Sequence, residues 1–179
     1  MIEIISVCLL KTLTSYLFGA YLKSYWGSID LNGAPFWYGK EDSDEICVSN
    51  YKDGGLDKLD LIKKEAKIKL TKKLSSILEY VVNNDKKFKN LKEDEEEYLE
   101  SLIKDKKLYE FVDLNSYYKN QEIDKDENRV FVRACVKKEE FIKFEEKRVK
   151  ELSKNLTIYK GKKAFRELDN DDMNLDDKM

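Results

Sequence analysis

Histidine is absent from this sequence. That removes the commonest general base, the commonest transition-metal ligand and the side chain that titrates near neutral pH. Cysteine is scarce. Cys8, Cys47 and Cys135 stand far apart without a CxxC pair, so no zinc motif of the Cys/His type is present. A Cys47–Cys135 disulfide would need their strands to be neighbours, and the favoured reading is two small, buried, apolar side chains. Arginine occurs only at 129, 133, 148 and 166, which leaves little material for planar bidentate recognition. The net charge of −2 lacks the basic excess that displaces phosphate counterions, so no nucleic-acid partner is expected. Glycine is sparse as well. Gly54-Gly55 has neither the further glycines nor the Lys-Ser/Thr of a phosphate loop.

What is present is helical text rich in Lys and Glu, with 41% apolar and 39% charged residues, enough for one modest core. Residues 2–22 (IEIISVCLLKTLTSYLFGAYL) form an apolar run of bilayer length. Lys11 lies in its middle, Glu3 replaces the basic start of a signal peptide, and Cys8 lacks the small preceding residue of a lipidation site. Three readings stay open: an uncleaved membrane anchor, a divergent export signal, or a buried helix. The aromatics Tyr16, Tyr21, Tyr25 and Trp26 gather at its end, as they do at membrane interfaces.

The single proline falls in residues 33–42 (GAPFWYGKED). Pro35 fixes φ and extends Ala34, and Phe36-Trp37 can staple the run onto the domain. Residues 44–51 (DEICVSNY) alternate and predict a strand, which Asp53-Gly54-Gly55 ends. Asp57 is placed as the N-cap of a long helix with Leu59, Ile62, Ala66, Leu70, Leu74, Ile77, Leu78 and Val81 on one stripe. Helical spacing resumes through Leu91, Tyr98, Leu99, Leu102 and Ile103, with acidic residues in the first turns. Residues 108–118 (LYEFVDLNSYY) and 129–136 (RVFVRACV) read as strands of a hairpin joined by the polar run 120–128. Residues 138–153 read as a last amphipathic helix, and 157–159 as a short strand.

The expected fold class is therefore α+β: a three-stranded antiparallel sheet with helices on one face, in the order β-α-α-β-β-α. The expected organisation is an N-terminal anchor or helix (1–32), the α+β domain (33–160) and an acidic, disordered tail (161–179).

No catalytic constellation emerges. Asp124, Asp126 and Asn128 have the start of a calcium loop, but Arg129 and Cys135 occupy the positions that need Gly and Glu, so the segment reads as a hairpin turn. The carboxylates of 93–97 are consecutive on a helix and point apart. Cys47 and Cys135 have no histidine to activate them. No catalytic, cofactor-binding or metal-binding residues are assigned and no cofactor is expected; Trp26, Phe36, Trp37 and Tyr38 are the candidate partner contacts.

Three segments carry a resemblance to the FlgP-like lipoproteins of the Lpp-twenty type, found in the envelopes of polarly flagellated Gram-negative bacteria. They are "GAPFWYGKED", the Lys-rich "KKEAKIKLTKKLSSILE" (63–79) and "RVFVRACVKKEEF" (129–141). The resemblance implies a dodecin-like or SHS2-like domain, membrane association on the periplasmic side and no enzymatic activity. It also implies assembly with other subunits, either itself or a FlgP-like lipoprotein, in a disk or ring of the flagellar motor needed for motility. The Lys-rich long helix, where the family has an Ala-rich one, also fits a FlgQ-like companion of the disk lipoprotein. The rival expectation is a membrane-attached or cytosolic protein–protein adaptor with no flagellar role.

Overall fold

A computed structural model describes residues 33–104 and 106–176, with side chains as far as residue 167. The chain divides into two units at Lys40/Glu41. Residues 33–40, placed in the folded domain from sequence, fall in the first unit. Trp26 and the apolar run 2–22 lie outside the described residues. Among those residues no helix is long and apolar enough to cross a membrane.

The described part of the first unit is a tight turn. The Tyr38 amide donates to the Pro35 carbonyl at 2.8 Å and the Lys40 amide to the Trp37 carbonyl at 3.3 Å. The turn sends two neighbouring aromatics to opposite fates: Phe36 is 81% exposed, whereas Trp37 is buried. Tyr38 lies tilted against Trp37 with centroids 6.3 Å apart, and the Lys40 ammonium sits over the Phe36 ring at 5.3 Å.

The second unit is α+β. Its elements are β1 (Glu45–Asp53), α1 (Leu59–Asn84), α2 (Glu93–Ile103), α3 (Lys107–Asn115), β2 (Tyr117–Asp124), β3 (Arg129–Lys137) and α4 (Lys138–Asp176). The three strands form one antiparallel sheet in the order β1-β3-β2. β3 is thus central and buried along most of its length. The sheet's edges are β1 and β2.

β1 ends at Gly54-Gly55, whose amides both donate to the Asn128 carbonyl. Gly55 has φ +67, and a Cβ there would stand 2.8 Å from the Asn128 side-chain oxygen, so only glycine fits. Asp57 is not an N-cap. It lies in a 3-10 turn (Leu56–Lys58), and Lys58 precedes α1 without a side-chain cap.

α1 buries Ile62, Ala66, Leu70, Leu74, Leu78 and Val82, the stripe that its three- and four-residue spacing dictates. It lies on the sheet face bearing Asn50 and Lys52, which both reach Glu65, at 3.2 and 2.8 Å. Leu78 and Val82 continue into a second cluster with Phe88, Leu99, Ile103, Val149, Leu152 and Leu156, which packs α2 and α4 together.

Four sequence expectations fail here for identifiable reasons. Residues 107–115 are helical, although the aromatics of 108–118 suggested a strand. Leu108 and Val112 are four apart and both buried, and Phe111 stacks on Phe144 at 4.5 Å, so helix packing overrides local β-propensity. The polar run taken as a connection is in fact most of β2, an edge strand with no continuous apolar face to announce it. Residues 157–159 belong to α4, which runs 39 residues, about 58 Å at 1.5 Å per residue. The segment expected as a disordered tail from 161 is helical through Asp176. Pairs on α2 secure α4 as far as Lys163: Tyr98 stacks on Tyr159 at 4.3 Å, Lys160 meets Glu95 at 2.9 Å and Lys163 meets Asp94 at 2.6 Å.

Candidate functional site

Strand alternation divides the sheet's residues between two faces. Even-numbered β1 residues meet α1; Glu45, Cys47, Ser49 and Tyr51 point to the other face, opposite Lys137, Cys135, Arg133 and Phe131 of β3. After a bulge near Lys119, Asn120 and Glu122 of β2 join that face, and Tyr117 stands opposite Cys135.

This second face holds the densest chemistry of the second unit. Cys47 and Cys135 are direct register partners with Cα atoms 4.1 Å apart, and their sulfurs are bonded. The favoured sequence reading of two separate buried thiols is therefore corrected. The strands are neighbours, and the short Cα separation marks a non-hydrogen-bonded pair, whose side chains approach closely enough to bridge. Such a position also turns the Cys47 backbone groups outward from the ladder. The Lys73 ammonium on α1 takes the Cys47 carbonyl at 3.1 Å, and burial pushes the Lys73 pKa down.

Glu45 lies two residues before Cys47 on the same face, with one carboxylate oxygen 3.6 Å from the Cys47 sulfur. The Tyr117 hydroxyl crosses the central strand and donates to its other oxygen at 2.6 Å. Burial, then the bond to Glu45, raises the Tyr117 pKa to about 12. The Lys119 ammonium bridges Glu45 at 2.8 Å and Asp42 at 2.6 Å. Lys119 in turn holds the Asp42 carboxyl below its usual range and is itself raised by the two acids. Among the described residues, Glu45, Cys47 and Cys135 form a group whose ligand-type atoms all lie within 4.8 Å of one another.

The other carboxylate candidates scatter as expected. Asp124 accepts the amides of Asp126 and Glu127 and closes the β2–β3 turn. In α2, Glu95 is buried and accepts the Lys92 amide at 3.1 Å, Asp94 meets Lys163, and Glu93, Glu96 and Glu97 are exposed.

Of the aromatics expected to contact partners, the described ones do not form one patch: Phe36 projects outward and Trp37 inward. The aromatics flanking the sheet are spread too. Tyr51 stacks on Phe131, Tyr117 serves Glu45, and Tyr118 carries the Lys63 ammonium at 5.3 Å. Sequence reasoning missed the Glu45–Cys47–Cys135–Tyr117–Lys119 cluster. Its members come from three strands, and the two cysteines are 88 residues apart. The available signal was Glu-x-Cys in one strand, which acquires meaning only once β1 and β3 are paired in register.

No family model, no curated protein and no solved structure matches the chain.

Proposed function

We propose that the protein is a non-enzymatic structural component of the bacterial cell envelope, exposed on the periplasmic side and associated with the membrane. The observation that carries this reading is the Cys47–Cys135 bridge across β1 and β3. Disulfides form and persist in oxidising compartments and are rare in the reducing cytosol. The apolar run 2–22 fits the same setting, as an anchor or an export signal.

Within the envelope, the resemblance of segments 33–42, 63–79 and 129–141 to FlgP-like lipoproteins favours a disk or ring component of the flagellar motor, or its companion, required for motility. Its partners on this reading are protein subunits, itself or a FlgP-like lipoprotein. β2 supports assembly: it is an edge strand of eight residues, none of them buried, without proline. Thiol trapping in fractionated cells tests the setting. The expected result is protein in the envelope fraction whose Cys47 and Cys135 react with a maleimide only after reduction. Soluble cytoplasmic protein with both thiols free would overturn it. Deleting the gene is expected to weaken or abolish swimming. An envelope protein whose loss leaves swimming and motors normal would instead be an adaptor with no flagellar role.

A further inference from the structure

We propose that the Cys47–Cys135 disulfide is the oxidised form of a metal site, and that its reduction frees two thiolates which, with the Glu45 carboxylate, hold one zinc-class divalent cation. This goes beyond the structural reading above and does not depend on it.

Three observations converge. The first is donor geometry. The two sulfurs and a Glu45 oxygen lie within 4.8 Å of one another, on one face of two paired strands. Once the S–S bond is broken, rotation about the side-chain bonds can open the sulfurs to about 3.8 Å, the edge of a tetrahedron with zinc–sulfur bonds of about 2.3 Å. The backbone need not move, because the strand register holds the two Cα atoms in place. The second is donor type. Two thiolates and a carboxylate suit zinc, whereas calcium and magnesium require oxygen donors throughout. Water completes the fourth position, and Cys47 is only partly buried.

The third observation is the support around the carboxylate. Tyr117 donates to one Glu45 oxygen and so orients the group from outside the donor set. Lys119 occupies the other oxygen, the one nearer Cys47. It has a second acid, Asp42, at 2.6 Å, so it can give up Glu45 to a metal and keep an ion pair. Two thiolates, one carboxylate and a divalent cation carry a net charge of −1, which Lys119 offsets.

The reductant is a dithiol. One of its thiolates attacks the Cys47 sulfur, forming a mixed disulfide and releasing Cys135 as a thiolate. Its second thiol then displaces Cys47, leaving the reductant as its own disulfide and two electrons on the cysteine pair. Metal binding displaces whatever protons the two sulfurs have taken up. A covalent link between β1 and β3 is thereby exchanged for a coordinate one.

The test uses purified full-length chain, oxidised or reduced and freed of reductant under anaerobic conditions, titrated with Zn2+ by calorimetry and with Co2+ by absorption. Reduced protein is expected to bind one equivalent of either metal, with the intense thiolate-to-cobalt band of a tetrahedral site. Oxidised protein is expected to bind at least 100-fold more weakly. E45Q, which leaves the disulfide intact, is expected to weaken Zn2+ binding to the reduced form about tenfold or more, and C47S, which leaves Cys135 as the site's one thiolate, to lower the thiolate band by half or more. Blocking the reduced wild-type thiols with methyl methanethiosulfonate gives the same comparison should C47S not fold. Equal binding by oxidised and reduced protein, cobalt bound without thiolate intensity, E45Q binding as tightly as wild type, or a reduced chain that binds nothing would each overturn the site.

Discussion

The two faces of the sheet are held by different physics. Against α1 and the helices beyond it lies a core of wholly buried apolar side chains, from Ile62 and Leu70 to Leu78 and Leu152, with the Asn50–Lys52–Glu65 group as its polar part. That layer depends on area removed from water and on close packing, which act without regard to redox state or charge. The opposite face has a covalent bridge, a carboxylate shared by a phenol and an ammonium, and a buried arginine, Arg133. Its strength depends on oxidation and on protonation. The apolar core is thus indifferent to redox state and the other face responds to it, although successive residues of β1 and β3 alternate between the two.

The sharpest break in this comparison is a cavity in the insensitive layer. Leu78→Ala or Leu152→Ala, both wholly buried, is expected to cost about 2–5 kcal/mol in denaturant unfolding. The loss should be the same in oxidised and reduced protein. A loss that depends on redox state would mean that the two faces are not independent.

Next in size is the disulfide itself. Reduction, or joint replacement of Cys47 and Cys135 by Ser, releases a link across 88 residues and is expected to cost about 2–4 kcal/mol. Retention of full stability after reduction in the absence of metal would show that the second face adds little to the fold.

A smaller effect tests whether the helical layer is free of charge effects. Glu145 of α4 is raised to about 7 by burial, with Glu146 adding repulsion. Its neutral form is favoured in the folded state, so its contribution is fully present below the ordinary carboxylate range and is lost as pH rises through about 7. Glu145→Gln should therefore stabilise the protein at pH 8 by about 1–2 kcal/mol and leave it unchanged at pH 4. A thermal melt at each pH measures the difference.

The smallest effect belongs to the sensitive face. Tyr117 is raised to about 12, so its folded state also prefers the protonated form. The stability it adds is intact below pH 10 and disappears between pH 10 and about 12. Tyr117→Phe should flatten the alkaline limb of the stability curve over that window. In the wild type, one tyrosine should ionise late by ultraviolet absorption, and Glu45→Gln should bring it earlier.

Elements whose burial follows one short period were legible in the sequence. α1 shows its stripe because every third or fourth residue meets the sheet, and β1 and β3 show apolar content because their faces are covered. The sites where reading failed lacked a private signal. β2 is a polar edge, α3 is an aromatic stretch that helix packing claims, and Tyr159, Lys160 and Lys163 of α4 are held by Tyr98, Glu95 and Asp94 of another helix. Two turn readings survived, at Gly54-Gly55 and at Asp124, because glycine and a side chain that accepts nearby amides mark a turn within a few residues.

The sequence by itself thus determined the α+β class, the strands β1 and β3 and the main helical stripe, since hydrophobic period is a local property that each segment carries alone. Strand order, register and the meeting of Glu45, Cys47, Cys135 and Tyr117 were decided only in the tertiary structure. Pairing β1 with β3 joins residues far apart in the chain, and a shift of one residue would have sent Cys47 and Cys135 to opposite faces of the sheet.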